Sequence, residues 1–239
     1  MDFNLANKVA IITGSGRGVG QVLAEYFAAA GALVILASRS KMDIERNATL
    51  IKESGGQAWA CPVDISTETG VKCLMAETNR LFGRVDILIN NAAIYKASPC
   101  WETSLADWEE MIHINLTGTF LCTRAVLPQM IERRSGCILN ISSTAASHFF
   151  PGFSAYGASK AGVLAFTKIA AEEVKEYDVR INALNLGLIN TASTRARIHD
   201  SDPATWVQPE EVATVALFLA SDVARAINGA VIDVTGKRL

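Results

Sequence analysis

Two side chains in the stretch Tyr156-Gly157-Ala158-Ser159-Lys160 can exchange protons. A tyrosine titrates at about 10 in water and is a poor acid or base at neutral pH. A lysine ammonium close by favours the phenolate and tunes the tyrosine toward proton transfer. Tyr156 and Lys160 stand four residues apart, and at the start of a helix such a pair lies on one face. Ser143 closes the run Asn140-Ile141-Ser142-Ser143, thirteen residues before Tyr156. A hydroxyl there can hydrogen-bond a carbonyl or alcohol oxygen while Tyr156 gives or takes the proton.

A second stretch, Thr13-Gly14-Ser15-Gly16-Arg17-Gly18-Val19-Gly20, has the composition of a phosphate cradle. It does not fit the dinucleotide pattern G-x-G-x-x-G, because Val19 or Gln21 stands where the third glycine belongs. Glycine still allows positive φ and close backbone approach to a ligand. A helix N-terminus behind it offers free N–H groups to a pyrophosphate. In such folds an acidic residue at the end of the second strand usually holds the ribose hydroxyls. Here that position is Ser38, followed by Arg39. A carboxylate would repel a 2′-phosphate, whereas serine can donate to it and a guanidinium can grip it bidentately. With Arg17 reaching in from the glycine loop, these residues point to NADP(H) over NAD(H).

The elements that must hold these groups follow from hydrophobic period. Apolar β-branched runs at Val9–Thr13, Leu33–Ser38, Gln57–Val63, Val85–Asn90, Cys137–Ser142, Val179–Leu186 and Ala230–Val234 read as strands. Between them, helical period covers Val19–Ala30, Met42–Ser54, Thr67–Phe82, Leu105–Arg133 with a bend at Pro128, Ala155–Tyr177 and Pro209–Leu219. Strands apolar on both faces, alternating with helices, imply an α/β fold: a doubly wound seven-stranded parallel sheet covered on both sides. No repeat or linker divides the chain, so residues 1–239 read as one domain. Ligands should bind beyond the carboxyl ends of the strands, where strand order reverses.

The spacing Thr13-Gly14-x-x-x-Gly18-x-Gly20 resembles the T-G-x-x-x-G-x-G signature of the short-chain dehydrogenase/reductase family, within which Gly16 is a variable position. Asn90-Asn91-Ala92 resembles that family's N-N-A-G, and Asn115, Ser143, Tyr156 and Lys160 match its catalytic tetrad in order and context. The resemblance runs from about Asn7 to Thr235 and is greatest to 3-oxoacyl-acyl-carrier-protein reductases. It implies a Rossmann fold and hydride transfer between a nicotinamide and a carbonyl or secondary alcohol. Tyr156 is then acid or base, Ser143 positions the substrate oxygen, Lys160 holds the ribose hydroxyls, and Asn115 anchors a water in a proton relay. Cofactor contacts are implied for Gly14, Ser15, Arg17, Gly18, Val19, Gly20, Ser38, Arg39, Asp64, Ile65, Asn91, Ala92, Ala93, Tyr156, Lys160, Gly187, Ile189 and Thr191. Asp64 matches the position that bonds the adenine amino group; as a plain helix N-cap, Ser66 fits better. The long helix and the Pro209 helix resemble segments that pack family members into homo-oligomers, tetramers or dimers.

The chain also departs from the family. Ala93 replaces the last glycine of N-N-A-G, and Leu186 replaces the proline of N-P-G, which should free that loop. Thr191 to Pro209 spans a short, charged lid, and the chain ends Gly236-Lys237-Arg238-Leu239 where relatives carry a G-G and a tail. Substrate contacts are expected from Ala145, His148, Phe149, Phe150, Phe153 and Leu186, with Ile94, Tyr95 and Leu188 opposite, since pockets are mostly apolar with a few polar groups. The net charge of −2 argues against a nucleic-acid partner. No apolar run reaches membrane length. Five scattered cysteines with no C-x-x-C and no zinc spacing read as free thiols in a cytoplasmic protein without a metal. Two rival readings are an NAD(H)-dependent alcohol dehydrogenase and a catalytically weak NADP(H)-binding sensor or scaffold.

Overall fold

Apolar runs, rich in Val, Ile and Leu except in β3, form seven strands: β1 Val9–Thr13, β2 Leu33–Ser38, β3 Gln57–Pro62, β4 Ile87–Asn90, β5 Gly136–Ser143, β6 Val179–Leu186 and β7 Val231–Val234. β1 and β4 are buried along their whole length, as parallel strands covered on both faces must be. The computed structural model describes residues 3–198 and 201–236. All pairings are parallel, in the order β3-β2-β1-β4-β5-β6-β7. The order reverses between β1 and β4, so their carboxyl ends flank the crevice where ligands bind in doubly wound sheets.

Helices α1 Gly18–Ala29, α2 Lys41–Glu53, α3 Glu68–Phe82, α4 Leu105–Ile112, α5 Gly118–Arg133, α6 Ser154–Val174, α7 Ala192–Arg195 and α8 Pro209–Ala220 complete the fold. Two apolar clusters hold it together. One packs Leu23, Phe27, Ile44, Ile51, Val212 and Leu219 of α1, α2 and α8 against the sheet. The other packs Val71, Leu74, Leu121, Val126, Met130 and Val174 of α3, α5 and α6 against its opposite face. All five cysteines are free, with Cys61, Cys122 and Cys137 buried.

Three local expectations are corrected. The helix read as Leu105–Arg133 is interrupted by a π-helical segment, His113–Thr117, while Pro128 lies inside α5. The irregularity sits where Asn115 leaves the helix surface to bond the β4 loop, as π-segments at functional sites often do. The cap of α3 is Thr67, whose Oγ1 accepts from the Gly70 N–H at 3.1 Å, and not Ser66. The loop after β6 is pinned rather than freed: the Gly187 N–H donates to Val234 O at 3.0 Å, the Asn190 N–H donates to Val207 O at 2.8 Å, and the Val207 N–H donates to Leu188 O at 3.0 Å, a parallel bridge between Ile189 and Val207. Leu186 fills the space below that loop as part of the core.

Candidate active site

The crevice between β1 and β4 is built by hydrogen bonds that fix two loops together. Thr13 Oγ1 accepts from the N–H groups of Asn91 and Ala92 at 3.0 and 3.1 Å. Asn91 Nδ2 donates to the carbonyls of Thr13 and Gly14. Gly14 has φ +66, and a Cβ there would lie 2.7 Å from Ala92 Cα; Gly18 has φ +59. A Cβ on Gly20 would overlap the Gly14 carbonyl oxygen. The three glycines of the spacing are therefore required for conformation or for closeness. Gly16 is tighter than its reading as a variable position suggests, since a Cβ would lie 3.1 Å from Asp43 Cβ.

Asn47, which sequence reading passed over, steadies the cradle from α2. It is buried, and its Nδ2 donates to Ser15 O and Gly16 O at 2.9 and 3.0 Å. Its only sequence signal is a polar residue on the apolar face formed by Ile44, Ala48 and Ile51. Ser15 Oγ, fully buried at the head of α1, has no hydrogen-bond partner among the described residues. A buried hydroxyl is rarely left unpaired. The orphan hydroxyl and the side-chain-free glycines fit a phosphate group of a bound dinucleotide.

Around the cradle, Arg17 stands in extended conformation at the N-cap of α1, and Arg39 follows β2; both are exposed. Arg39 faces Asp64. Burial pushes the Asp64 carboxyl up, but hydrogen bonds from Ser66 and the Arg39 charge bring it below the usual carboxylate range. Ile65 is buried, and Ala93 is exposed beside Ala92. Thr191 caps α7, with its methyl 3.6 Å from a Cβ built on Gly18, so the loop after β6 faces the glycine loop. Val19 stands in the first turn of α1 and packs against the core, Gly187 follows β6, and Ile189 anchors that loop in the core.

The proton-exchanging groups meet at the carboxyl end of β5. α6 starts at Ser154, which places Tyr156 and Lys160 on its first turns. Lys160 is 2% exposed, and its Nζ donates to Ile141 O at 2.8 Å and lies 5.9 Å from the Tyr156 ring centre. Burial lowers its pKa from 10.5 to about 8. Burial also pushes the Tyr156 phenol up, against a hydrogen bond with Ser143 and the charge of Arg197, which favour the phenolate. Ser143 Oγ accepts from the Ala145 N–H at 3.2 Å. Asn115 is fully buried: it accepts from Ile94 N–H at 2.8 Å and donates to Ile94 O and to Ser159 Oγ at 3.0 Å each. Ser159 Oγ in turn donates to Tyr156 O at 2.7 Å. Asn115 thus ties the β4 loop to α6.

An aromatic wall stands beside Tyr156. Tyr95 lies 5.3 Å from it, Phe153 lies 4.9 Å from Tyr95, and Phe150 lies 5.5 Å from Phe153. His148 stacks on Phe150, exposed, and Ala145 is buried in the turn after β5. Two expected wall residues are elsewhere: Phe149 is 94% exposed, and Leu186 is 5% exposed within the core. The lid contains α7 and is tied down by Trp206, 6% exposed, with Nε1 on Ser201 Oγ. His199 and Asp200 of the lid, and the terminal Lys237–Leu239, lie outside the described residues.

The crevice, with the half-buried Tyr156 and the buried Lys160 beside it, defines the class, an oxidoreductase on a Rossmann fold. Residues 8–202 match the family described as short chain dehydrogenase, and the chain belongs to that family. It is 37% identical to a 3-oxoacyl-[acyl-carrier-protein] reductase from Synechocystis over 97% of each chain. A 7α-hydroxysteroid dehydrogenase complexed with NADH and 7-oxo glycochenodeoxycholic acid superposes at a TM-score of 0.93, 31% identical, covering 100% of this chain and 96% of that one. A protein from Beutenbergia cavernae described as an NAD(P) dependent gluconate 5-dehydrogenase, with bound NADP, gives 0.92 at 33% identity, covering 99% and 98%.

Proposed function

We propose that the protein is an NADP(H)-dependent reductase of ketones or 3-oxoacyl groups, working in either direction through Ser143, Tyr156 and Lys160. The observation that carries this reading is their convergence at the end of β5 beside the glycine cradle. The cradle residues, Gly14 to Gly20, would hold the pyrophosphate. Ser38, Arg39 and Arg17 would take the 2′-phosphate, Asp64 and Ile65 the adenine, and Asn91, Ala92, Ala93, Gly187, Ile189 and Thr191 the nicotinamide side. When bound, the dinucleotide supplies hydride exchange with the substrate carbon. Tyr156 Oη holds the proton across the neutral range and delivers it to the carbonyl oxygen, or takes it from the alcohol in the reverse direction. Ser143 Oγ accepts from Ala145 N–H with one of its lone pairs, and its O–H is free to aim at the substrate oxygen or at Tyr156. The test is Tyr156→Phe: NADPH oxidation against a panel of ketones should fall to background while NADPH binding survives. A near-normal rate in that variant refutes the mechanism, and binding without turnover in the wild type would favour the sensor reading.

A second reading, NAD(H) use, is favoured by one observation. Asp43, in the first turn of α2, brings a carboxylate beside Gly16 and Ser38, where it would oppose a 2′-phosphate. Michaelis constants for NADPH and NADH decide between the two. We also propose a homo-oligomer: Phe120 on α5 and Ile169 on α6 leave large apolar side chains exposed, and sedimentation would show whether they pair subunits.

A further inference from the structure

The lid brings a charge to the aromatic wall. Arg197 follows α7, and its guanidinium carbon lies 4.9 Å from the Tyr95 ring centre, within cation–π distance. Tyr95 is in turn edge-on to Tyr156, at an interplanar angle of 77°. The cation therefore stands one ring away from the proton-exchanging phenol. Its Nε donates to Ser193 O at 3.0 Å, which holds the side chain in the lid and leaves the two terminal nitrogens for other partners. Among the described residues no carboxylate lies within ion-pair distance of it. The neighbouring Arg195 is engaged differently, with Nη1 on Asn190 Oδ1 at 2.6 Å.

We propose that Arg197 anchors a substrate carboxylate, so that the enzyme acts on oxo or hydroxy compounds carrying a carboxylate a few bonds from the reacting carbon. The inference rests on the assignment of Ser143, Tyr156 and Lys160 as the reactive centre. Two features support it. The wall around Arg197 is otherwise aromatic, through Tyr95, Phe153 and Phe150, so a planar guanidinium there is the fixed point that can orient a polar end. A guanidinium takes a carboxylate through two parallel hydrogen bonds, which adds orientation to attraction. The Arg197 charge also reaches both phenols, drawing Tyr95 and Tyr156 toward the phenolate against the effect of burial. A carboxylate on Arg197 would neutralise that pull and keep the proton on Tyr156 for reduction.

The experiment uses the NADPH-loaded protein with 3-oxobutanoate, 4-oxopentanoate and 5-oxohexanoate, each against its methyl ester. At least one acid should be preferred over its ester. Arg197→Gln should raise KM for that acid about 10- to 100-fold, the loss of a charged hydrogen-bonded pair, with a far smaller effect on the ester. Arg197→Lys should retain part of the preference, because it keeps the charge and loses the fork. Equal use of acid and ester by the wild type overturns the proposal. So does a variant in which KM rises alike for acid and ester, since Arg197 would then not read the carboxylate; a kcat shift common to both reports only its charge on Tyr156. If the wild type reduces none of the six with NADPH or NADH, the oxidoreductase reading fails for this substrate class. Saturation-transfer NMR with the same acids then tests the anchor separately: transfer that disappears in Arg197→Gln upholds it, and transfer that is equal or absent in both overturns it.

Discussion

Lys160 is a cation-forming group with almost no access to water, and its burial should be readable as a pH dependence of stability. Desolvation takes its pKa from 10.5 to about 8, with Ile141 O its one described acceptor. Each unit of such a shift corresponds to about 1.4 kcal/mol, so holding the amine charged costs the folded protein about 3 kcal/mol below pH 8. The unfolded chain binds this proton more tightly, and stability therefore rises as pH climbs from about 8 toward 10.5. By pH 9.5 about 2 kcal/mol of the penalty should be gone. Lys160→Met removes the titration. It also strips Ile141 O of its partner, a loss of about 1–3 kcal/mol that does not depend on pH. The informative quantity is then the difference between wild type and variant, in which all other titrating groups cancel. Urea unfolding of the cofactor-free proteins at one concentration, from pH 7 to 9.5, should move that difference by about 2 kcal/mol in favour of the wild type. A difference that stays flat across this range would mean that Lys160 keeps its ordinary pKa, and that the site does not desolvate it.

The glycine loop offers a graded comparison. Gly20→Ala forces a methyl into the Gly14 carbonyl and should abolish tight NADPH binding in a fluorescence titration. Gly16→Ala needs only a small retreat of Asp43 and should cost under about 1 kcal/mol of stability. Asn47→Ala leaves the Ser15 and Gly16 carbonyls without their side-chain donor; NADPH affinity should fall about tenfold with kcat little changed, and unchanged affinity would mean the loop holds itself. Arg39→Asp should shift cofactor preference toward NADH in steady-state kinetics, whereas Asp43→Asn should strengthen NADPH. Unchanged NADPH affinity in Arg39→Asp would remove it from the 2′-phosphate site.

The centre of the sheet was legible because β1, β2, β4, β5 and β6 are buried on both faces along most of their length. Runs such as Val9-Ala10-Ile11-Ile12 and Ile87-Leu88-Ile89 have no polar side to confuse with a helix. The cradle was legible for a related reason: close backbone approach leaves glycine as the residue that fits, and that requirement has a fixed spacing. The π-segment at His113–Thr117 was not legible, because one residue added to a turn leaves composition and apolar period almost unaltered. Leu186 was misplaced on the substrate wall because a strand's last residue can face either the ligand or the core, and the β7 pairing turns this one inward. Asn47, Arg197 and Asp43 reach the site from α2 and the lid, elements whose approach depends on tertiary packing.

The tyrosine–lysine pair shows where spacing stops being sufficient. Four residues on a helix bring the two side chains together, and from spacing alone the lysine should lower the tyrosine pKa. In the folded protein burial acts on both and in opposite senses, raising the phenol and lowering the amine. The groups that favour the phenolate are Ser143 and Arg197. A lysine acts on its neighbour only through its charge, and this one gives up its charge near pH 8. Above that pH, the proton on Tyr156 responds to a serine from β5 and an arginine from the lid. Proximity is written in the local sequence, whereas the sign and size of the coupling come from how deeply α6 buries the pair and from what the lid sets opposite it.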